Sequence, residues 1–135
     1  MNANEWFACL GYRTVDILIP QDNIFESVYC APSSIGGAQD FCEVFHIDDF
    51  ISNVFGEKFT GPEVARLIIK GEQPLAVKSR IVPDVIQIDF DTFTISKGIM
   101  GKKLFSIGIL ASRFEDNRVQ YLLDINQIHS KWRQR

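Results

Sequence analysis

Short apolar segments separated by turn residues run through the chain. Val15, Ile17 and Ile19 recur at every second position, the spacing that places side chains on one face of a β-strand. The apolar residues 6–10 precede this segment across a turn at residues 11–13. We therefore predict a β-hairpin within the first 20 residues.

The same arrangement of two strands around a turn returns twice. Residues 64–70 and 74–78 flank one turn, and residues 104–114 and 118–123 flank another at Glu115-Asp116-Asn117. Residues 81–90 add a further apolar strand between these hairpins. Because strands greatly outnumber helical segments, the pattern predicts an all-β fold with a few short helices.

The first of these helices is predicted just after residue 20. Asp22 or Asn23 can cap it, and Ile24, Phe25 and Val28 follow at helical spacing. Residues 31–40, which are rich in Gly, Pro and Ser, then predict a loop.

Two further helices each follow a strand directly. Residues 41–47 predict a strand that runs into a helix capped by Asp48 or Asp49 and ended by Gly56. The apolar positions expected on its buried side are Phe50, Ile51, Val54 and Phe55. Asp124 is expected to cap the last helix, which carries Ile125, Ile128 and Trp132 at helical spacing.

The two strand-to-helix segments resemble each other. Residues 44–50 and 120–126 both consist of an apolar strand that leads through Asp into a helix. We therefore expect a structural duplication within a single domain, residues 1–135, with approximate halves 5–60 and 61–135. Each half is expected to form a small barrel or curled sheet, since curling removes exposed strand edges.

The order of these elements resembles the CheW-like domain of chemotaxis adaptors over nearly the whole chain. The matching segments are residues 7–19, 20–28, 44–55, 65–77, and 108–111 together with 122–125. The resemblance implies two packed, small, five-stranded SH3-like β-barrel subdomains without catalytic activity or cofactor. It also implies a protein–protein interaction module that binds a CheA-type histidine kinase and the cytoplasmic tip of a chemoreceptor. Its partner-binding residues are expected among surface apolar side chains, here Ile24, Phe25, Val28 and Ile35.

The chain departs from that family in one segment. CheW-like domains carry a longer stretch with an R-G-V-I-N-L-R-G hairpin at the place that residues 31–40 occupy here, and that motif is absent from this sequence. Because that region helps to contact the receptor in the family, one alternative is a CheW-like module that has lost receptor coupling.

Residue types that could perform catalysis do not form a recognisable motif. The two histidines, His46 and His129, are far apart in sequence, and the three cysteines lack metal-ligand spacing. The acidic pairs are better explained as helix caps, turns and surface residues. We predict no catalytic residues, no metal site and no cofactor. A small-ligand-binding or enzymatic β-barrel that uses the space between the halves is the second alternative.

Composition, charge and the N-terminal sequence limit the class of protein and its expected location in the cell. Hydrophobic residues make up 46% of the 135 positions, which suits a folded domain, and the net charge of −3 argues against a nucleic-acid binder. The N-terminal residues do not resemble a signal peptide, and no apolar run is long enough to cross a bilayer. The sequence therefore predicts a cytoplasmic protein without direct membrane insertion.

Overall fold

The computed structural model describes residues 4–29, 43–71, 74–95, 102–103 and 106–133. In chain order, the strands and helices are β1 (Asn4–Gly11), β2 (Val15–Pro20), β3 (Ile24–Tyr29), β4 (Glu43–His46), α1 (Ile47–Phe55), β5 (Ala65–Ile69), β6 (Leu75–Ser79), β7 (Asp84–Asp89), β8 (Ile109–Glu115), β9 (Arg118–Leu123) and α2 (Ile125–Arg133). These strands form two sheets, so the predicted all-β class with a few short helices is confirmed. The chain divides into two compact units, one of Met1–Asp22 with Asp84–Arg135 and the other of Asn23–Pro83.

The first unit contains a five-stranded sheet in the order β7-β1-β2-β9-β8. A two-way backbone bridge joins its ends: Thr94 N–H donates to the Ser112 carbonyl at 2.7 Å, and Ser112 N–H donates to the Thr94 carbonyl at 2.9 Å. This bridge connects the segment after β7 to β8, so the sheet curls towards closure, as the sequence predicts. The side chains that fill its interior are Phe7, Leu18, Ile88, Ala111 and Leu122.

The hairpin between β8 and β9 confirms the predicted turn. Asp116 and Asn117 have φ angles of 52° and 62°. Two consecutive residues with positive φ are typical of the two-residue turns that match the twist of a hairpin. Asp124 then caps α2 as expected, since its carboxylate accepts a hydrogen bond from the Gln127 N–H at 3.1 Å.

The second unit contains a four-stranded sheet in the order β3-β5-β6-β4. All five residues of β5 are buried, as are most of β6. Helix α1 follows β4 directly and buries Ile47, Phe50 and Ile51. Gly56 ends the helix with a φ of 73°, a conformation that costs glycine little.

Both sheets share one arrangement of strands and helix. In each, the second strand of a hairpin pairs in parallel with a strand that leads into a helix: β6 with β4 before α1, and β2 with β9 before α2. These are the two segments, residues 44–50 and 120–126, whose similarity the sequence indicates. The first sheet nevertheless draws on both ends of the chain and the second on its middle, so the halves 5–60 and 61–135 do not each form a sheet of their own. That residues 1–135 act as one domain stays a prediction.

The helix predicted after residue 20 is wrong. A 3-10 turn at Gln21–Asn23 leads instead into strand β3, which pairs antiparallel with β5. A β-bulge interrupts the strand, because the register passes from Ile24–Ile69 to Glu26–Ile68. The bulge breaks the two-residue alternation that would have identified the strand from its sequence.

The predicted cap of α1 is also wrong. His46 occupies the N-cap position and makes no side-chain cap bond. Asp48 is fully buried and accepts hydrogen bonds from Arg80, while Asp49 is exposed. In the last turn of the helix, Val54 is 38% exposed, so it is not buried as expected.

Candidate functional site

Phe25 stands out on the second unit because it is large, apolar and 72% exposed. It is the extra residue of the bulge in β3, which is an end strand of its sheet among the described residues. Bulges bend a strand and redirect a side chain, and they are common beside functional sites. Ile24, the residue before it, is only 8% exposed and belongs to the core.

A groove of about 230 Å³ lies beside Phe25. Besides Phe25 it is lined by Ile68, Ile69, Lys70, Gly71 and Pro74. Its walls come from the end of β5 and the turn towards β6, and the Lys70 N–H donates to the Asn23 carbonyl at 2.8 Å, which links this turn to the start of β3. The groove is therefore built from backbone segments that hydrogen bonds hold in place.

The chemistry of the groove suits an apolar side chain of a partner. Among the described residues that line it, only Lys70 carries a charged side chain. A site for a small polar ligand or a substrate needs several converging polar groups, which the described part of the lining does not supply. An exposed aromatic residue beside an apolar depression is instead typical of a protein contact.

The structure separates the four predicted partner-binding residues. Phe25 lines the groove, whereas Ile24 lies in the core. Val28 lies on β3 opposite Arg66, and its side chain is not among those that the structure describes. Ile35 lies outside the described residues. The assignment of these residues to partner binding stays a prediction, and Phe25 is the member with the geometry for it.

The sequence did not predict that Ile68, Ile69 and Pro74 line this groove. Ile68 and Ile69 belong to a strand that is apolar throughout, so nothing in the pattern distinguishes its last residues from its core. The pairing of β3 with β5 brings them beside Phe25 across more than 40 positions of sequence. The pairing of β3 with β5 depends on tertiary structure, so the pattern of residues within one segment does not predict it.

The first unit holds a polar network at one end of its curled sheet. The Asp16 carboxylate accepts from Arg118 Nε at 2.9 Å and Nη2 at 2.7 Å, and from Gln120 Nε2 at 3.1 Å. Arg113 Nη1 donates to the Gln120 side chain at 2.5 Å and also pairs with Glu115. Since these groups satisfy one another, the network fixes strands β2, β8 and β9 and has a structural role.

Cys9 is a free thiol near this network. Burial, followed by the negative charges of Asp16 and Asp84, raises the pKa of the Cys9 thiol to about 12, although Arg118 acts in the opposite direction. A cysteine that acts as a nucleophile or metal ligand needs a lowered pKa, so this thiol is inert at neutral pH. Cys30 and Cys42 lie outside the described residues.

The two histidines lie apart from any catalytic arrangement that the described residues could form. His46 is half exposed, and its Nδ1 lies 2.7 Å from an oxygen of Glu63. His129 lies on α2 in the other unit. Over the described part of the chain, no three His, Cys, Asp or Glu side chains come together as metal ligands would. No helix within those ranges is long and apolar enough to cross a membrane.

Comparison with known proteins identifies the fold. The chain is similar to the solved structure of the scaffolding protein TtCheW from Thermoanaerobacter tengcongensis, with a TM-score of 0.61 and 11% sequence identity over 93% of this chain and 86% of that one. No family model and no curated protein matches the sequence. At this identity the likeness establishes a CheW-like fold, which is the fold that the order of elements resembles.

Proposed function

We propose that this chain is a non-catalytic protein–protein interaction module of chemotaxis signal transduction. The observation that carries the proposal is Phe25, which lies 72% exposed beside an apolar groove on a chain with a CheW-like fold. The similar structure is that of a scaffolding protein, and a scaffold acts by holding partners in a fixed geometry. The proposed setting is the cytoplasm.

The proposed partner is the regulatory domain of a CheA-type histidine kinase, which is itself CheW-like. Its apolar side chain would enter the groove and pack against Phe25, while polar residues around the groove exclude water. The cytoplasmic tip of a chemoreceptor is proposed as the second partner. No covalent step is involved, because affinity and geometry are sufficient for such a module.

The proposed contact is expected to be weak because it has one aromatic anchor. Burial of one large aromatic side chain contributes about 1.5–3 kcal/mol, and association itself costs several kcal/mol. One aromatic anchor does not offset that cost by itself, so other contacts must contribute, and we expect a weak complex with a dissociation constant on the order of tens of micromolar.

Calorimetric titration of the purified chain with the regulatory domain of a CheA-type kinase tests this proposal. The expected result is saturable binding with a stoichiometry of one to one. The proposal fails if no heat of binding develops with both proteins at about 100 µM, a concentration at which a complex of this strength would form.

The short segment at residues 31–40 supports a narrower version of the proposal. Without the R-G-V-I-N-L-R-G hairpin, the chain would bind the kinase but not the receptor. Expression in a chemotaxis strain that lacks its adaptor separates the two versions. Restored swimming towards attractant would contradict the narrower version, whereas kinase binding without restored chemotaxis would support it.

A further inference from the structure

One face of the second sheet carries a row of three basic side chains on neighbouring strands. The register sets Arg66 of β5 opposite Lys78 of β6, and Lys78 opposite His46 of β4. Val77 and Phe45, which precede Lys78 and His46, are each 1% exposed and belong to the core, so the basic row lies on the opposite face. The Arg66 side chain is buried, Lys78 is partly exposed and the His46 side chain is half exposed. The row therefore runs from a buried end at Arg66 to an open end at His46.

Two members of this row have acidic neighbours. Glu26 lies 3.6 Å from Nη2 of Arg66, and an oxygen of Glu63 lies 2.7 Å from Nδ1 of His46. Among the residues that the structure describes, no acidic side chain pairs with Lys78. Lys78 also stands directly opposite Arg66, and like charges in that position destabilise a sheet. A carboxylate from another molecule would supply the opposite charge at Lys78.

An apolar row lies beside the basic one on the same face. The register aligns Val44, Ala76 and Ile68 on the same three strands, two positions along from the basic residues. Two positions of a strand separate the rows by about 7 Å. Val44 is 38% exposed, whereas Ala76 and Ile68 are buried. The accessible part of this face is therefore an apolar side chain, Val44, about 7 Å along the strands from the basic row.

An extended protein segment has the same spacing. Residues two positions apart in a strand share a face and lie about 7 Å apart, so an acidic residue and an apolar residue at that separation meet Lys78 and Val44 together. A polyanion such as nucleic acid suits the surface less well, because the chain has a net charge of −3 and Glu26 and Glu63 stand at the two ends of the row. Isolated carboxylates among apolar side chains fit both rows.

We propose that Lys78 binds a carboxylate of an acidic segment on a partner protein, while an apolar residue two positions away in that segment packs on Val44. Arg66 and His46 add positive charge on either side of Lys78 when His46 is protonated. The inference goes beyond the kinase contact, because recognition depends on an acidic and an apolar residue in one extended segment and needs no CheW-like partner.

Nuclear magnetic resonance titration of the ¹⁵N-labelled chain with the peptide Leu-Thr-Glu-Thr-Leu, blocked at both ends, tests the proposal. Leucine on each side of the glutamate allows either strand direction. We expect saturable shifts of the backbone amides of β4 and β6, with a dissociation constant on the order of a millimolar. The peptide with glutamine in place of glutamate should bind at least fivefold more weakly, and affinity for the glutamate peptide should fall as salt is raised.

Neutral substitutions on the protein provide the matching control. Lys78→Gln should weaken the glutamate peptide about fivefold or more. Lys103→Gln removes the same charge from an exposed position on the first unit and should change the affinity less than twofold. Urea unfolding separates binding from structure, because Lys78→Gln removes a like charge opposite Arg66 and should leave the stability unchanged or raise it.

Three results would overturn the proposal. They are equal binding of the glutamate and glutamine peptides, equal losses in the two lysine variants, and shifts of the same amides by inorganic phosphate that are as large as those caused by the glutamate peptide. Because the titration contains no kinase, its failure leaves the proposed adaptor function untouched, and failure of the kinase titration leaves this result untouched.

Discussion

The carboxylate of Asp48 and the backbone of Arg80 are joined by a hydrogen bond of 2.7 Å, although 32 positions separate them in sequence. Asp48 is fully buried, and the Arg80 guanidinium lies 3.3 Å from the same oxygen. The bond connects the first turn of α1 to the end of β6. It therefore ties the helix to its sheet, which differs from the helix cap that the sequence predicted at Asp48 or Asp49.

Removal of the Asp48 carboxylate should destabilise the protein strongly. In Asp48→Ala the Arg80 N–H loses its acceptor in a region from which water is largely excluded, so we expect a loss of about 2–3 kcal/mol in the free energy of unfolding. Asp49→Ala is the matched control, because Asp49 is exposed in the same helical turn. It should cost less than about 1 kcal/mol, through the helix dipole alone. Urea denaturation measures both, and equal losses would contradict the assigned role of Asp48.

Gly108 is predicted to tolerate no side chain. Its φ is 93°, and a Cβ built on it would lie 2.2 Å from Cγ1 of Ile128, which is buried on α2. Gly108→Ala should therefore cost about 3 kcal/mol, from overpacking added to backbone strain.

Gly61 provides the comparison for that substitution. It has a similar φ of 91°, but nothing lies within 4 Å of the position of its Cβ. Gly61→Ala should cost only about 1 kcal/mol, which is the strain of a positive φ by itself. Thermal unfolding of the two variants separates backbone strain from overpacking. If both substitutions lower the free energy of unfolding by the same amount, the packing of α2 against Gly108 is contradicted.

The Cys9 thiol should stay protonated in the folded protein at alkaline pH. Its pKa is raised from 9.0 to about 12, so the folded state keeps a proton that the unfolded state releases above pH 9. The stability associated with this proton is complete below pH 9 and is lost as the pH rises towards 12. In a Cys30→Ser, Cys42→Ser background, the ultraviolet absorbance of thiolate should appear between pH 9 and pH 12 only after unfolding. A folded protein that titrates near pH 9 would contradict the assignment, and Cys9→Ala gives the baseline.

The sequence predicts those elements whose determinants are local. The β1–β2 and β8–β9 hairpins follow from strand alternation beside recognisable turn residues, and the Asp124 cap follows from its position just before an apolar helical pattern. In each case the residues that decide the structure lie within a few positions of one another.

The features that the sequence does not predict depend on distant residues. Asp48 has the position of a helix cap, and only the approach of Arg80 makes it a buried acceptor. The bulge at Phe25 is defined by the register of β3 against β5. Without that partner strand, the spacing of apolar residues in the segment predicts a helix. The groove arises from the same pairing, and for that reason Phe25 could be named from the sequence but its surroundings could not.

Truncation of Phe25 tests the central claim most directly. Phe25→Ala should weaken binding to the CheA-type regulatory domain by roughly 30-fold, which corresponds to about 2 kcal/mol for an aromatic anchor. Phe114→Ala is the matched control, because Phe114 is 69% exposed on the other sheet. We expect it to change the affinity less than about twofold, as is usual for a residue outside the contact. Circular dichroism should show that both variants remain folded. Binding unaffected by Phe25→Ala, or weakened equally by both substitutions, would contradict the assignment of the Phe25 groove as the partner-binding site.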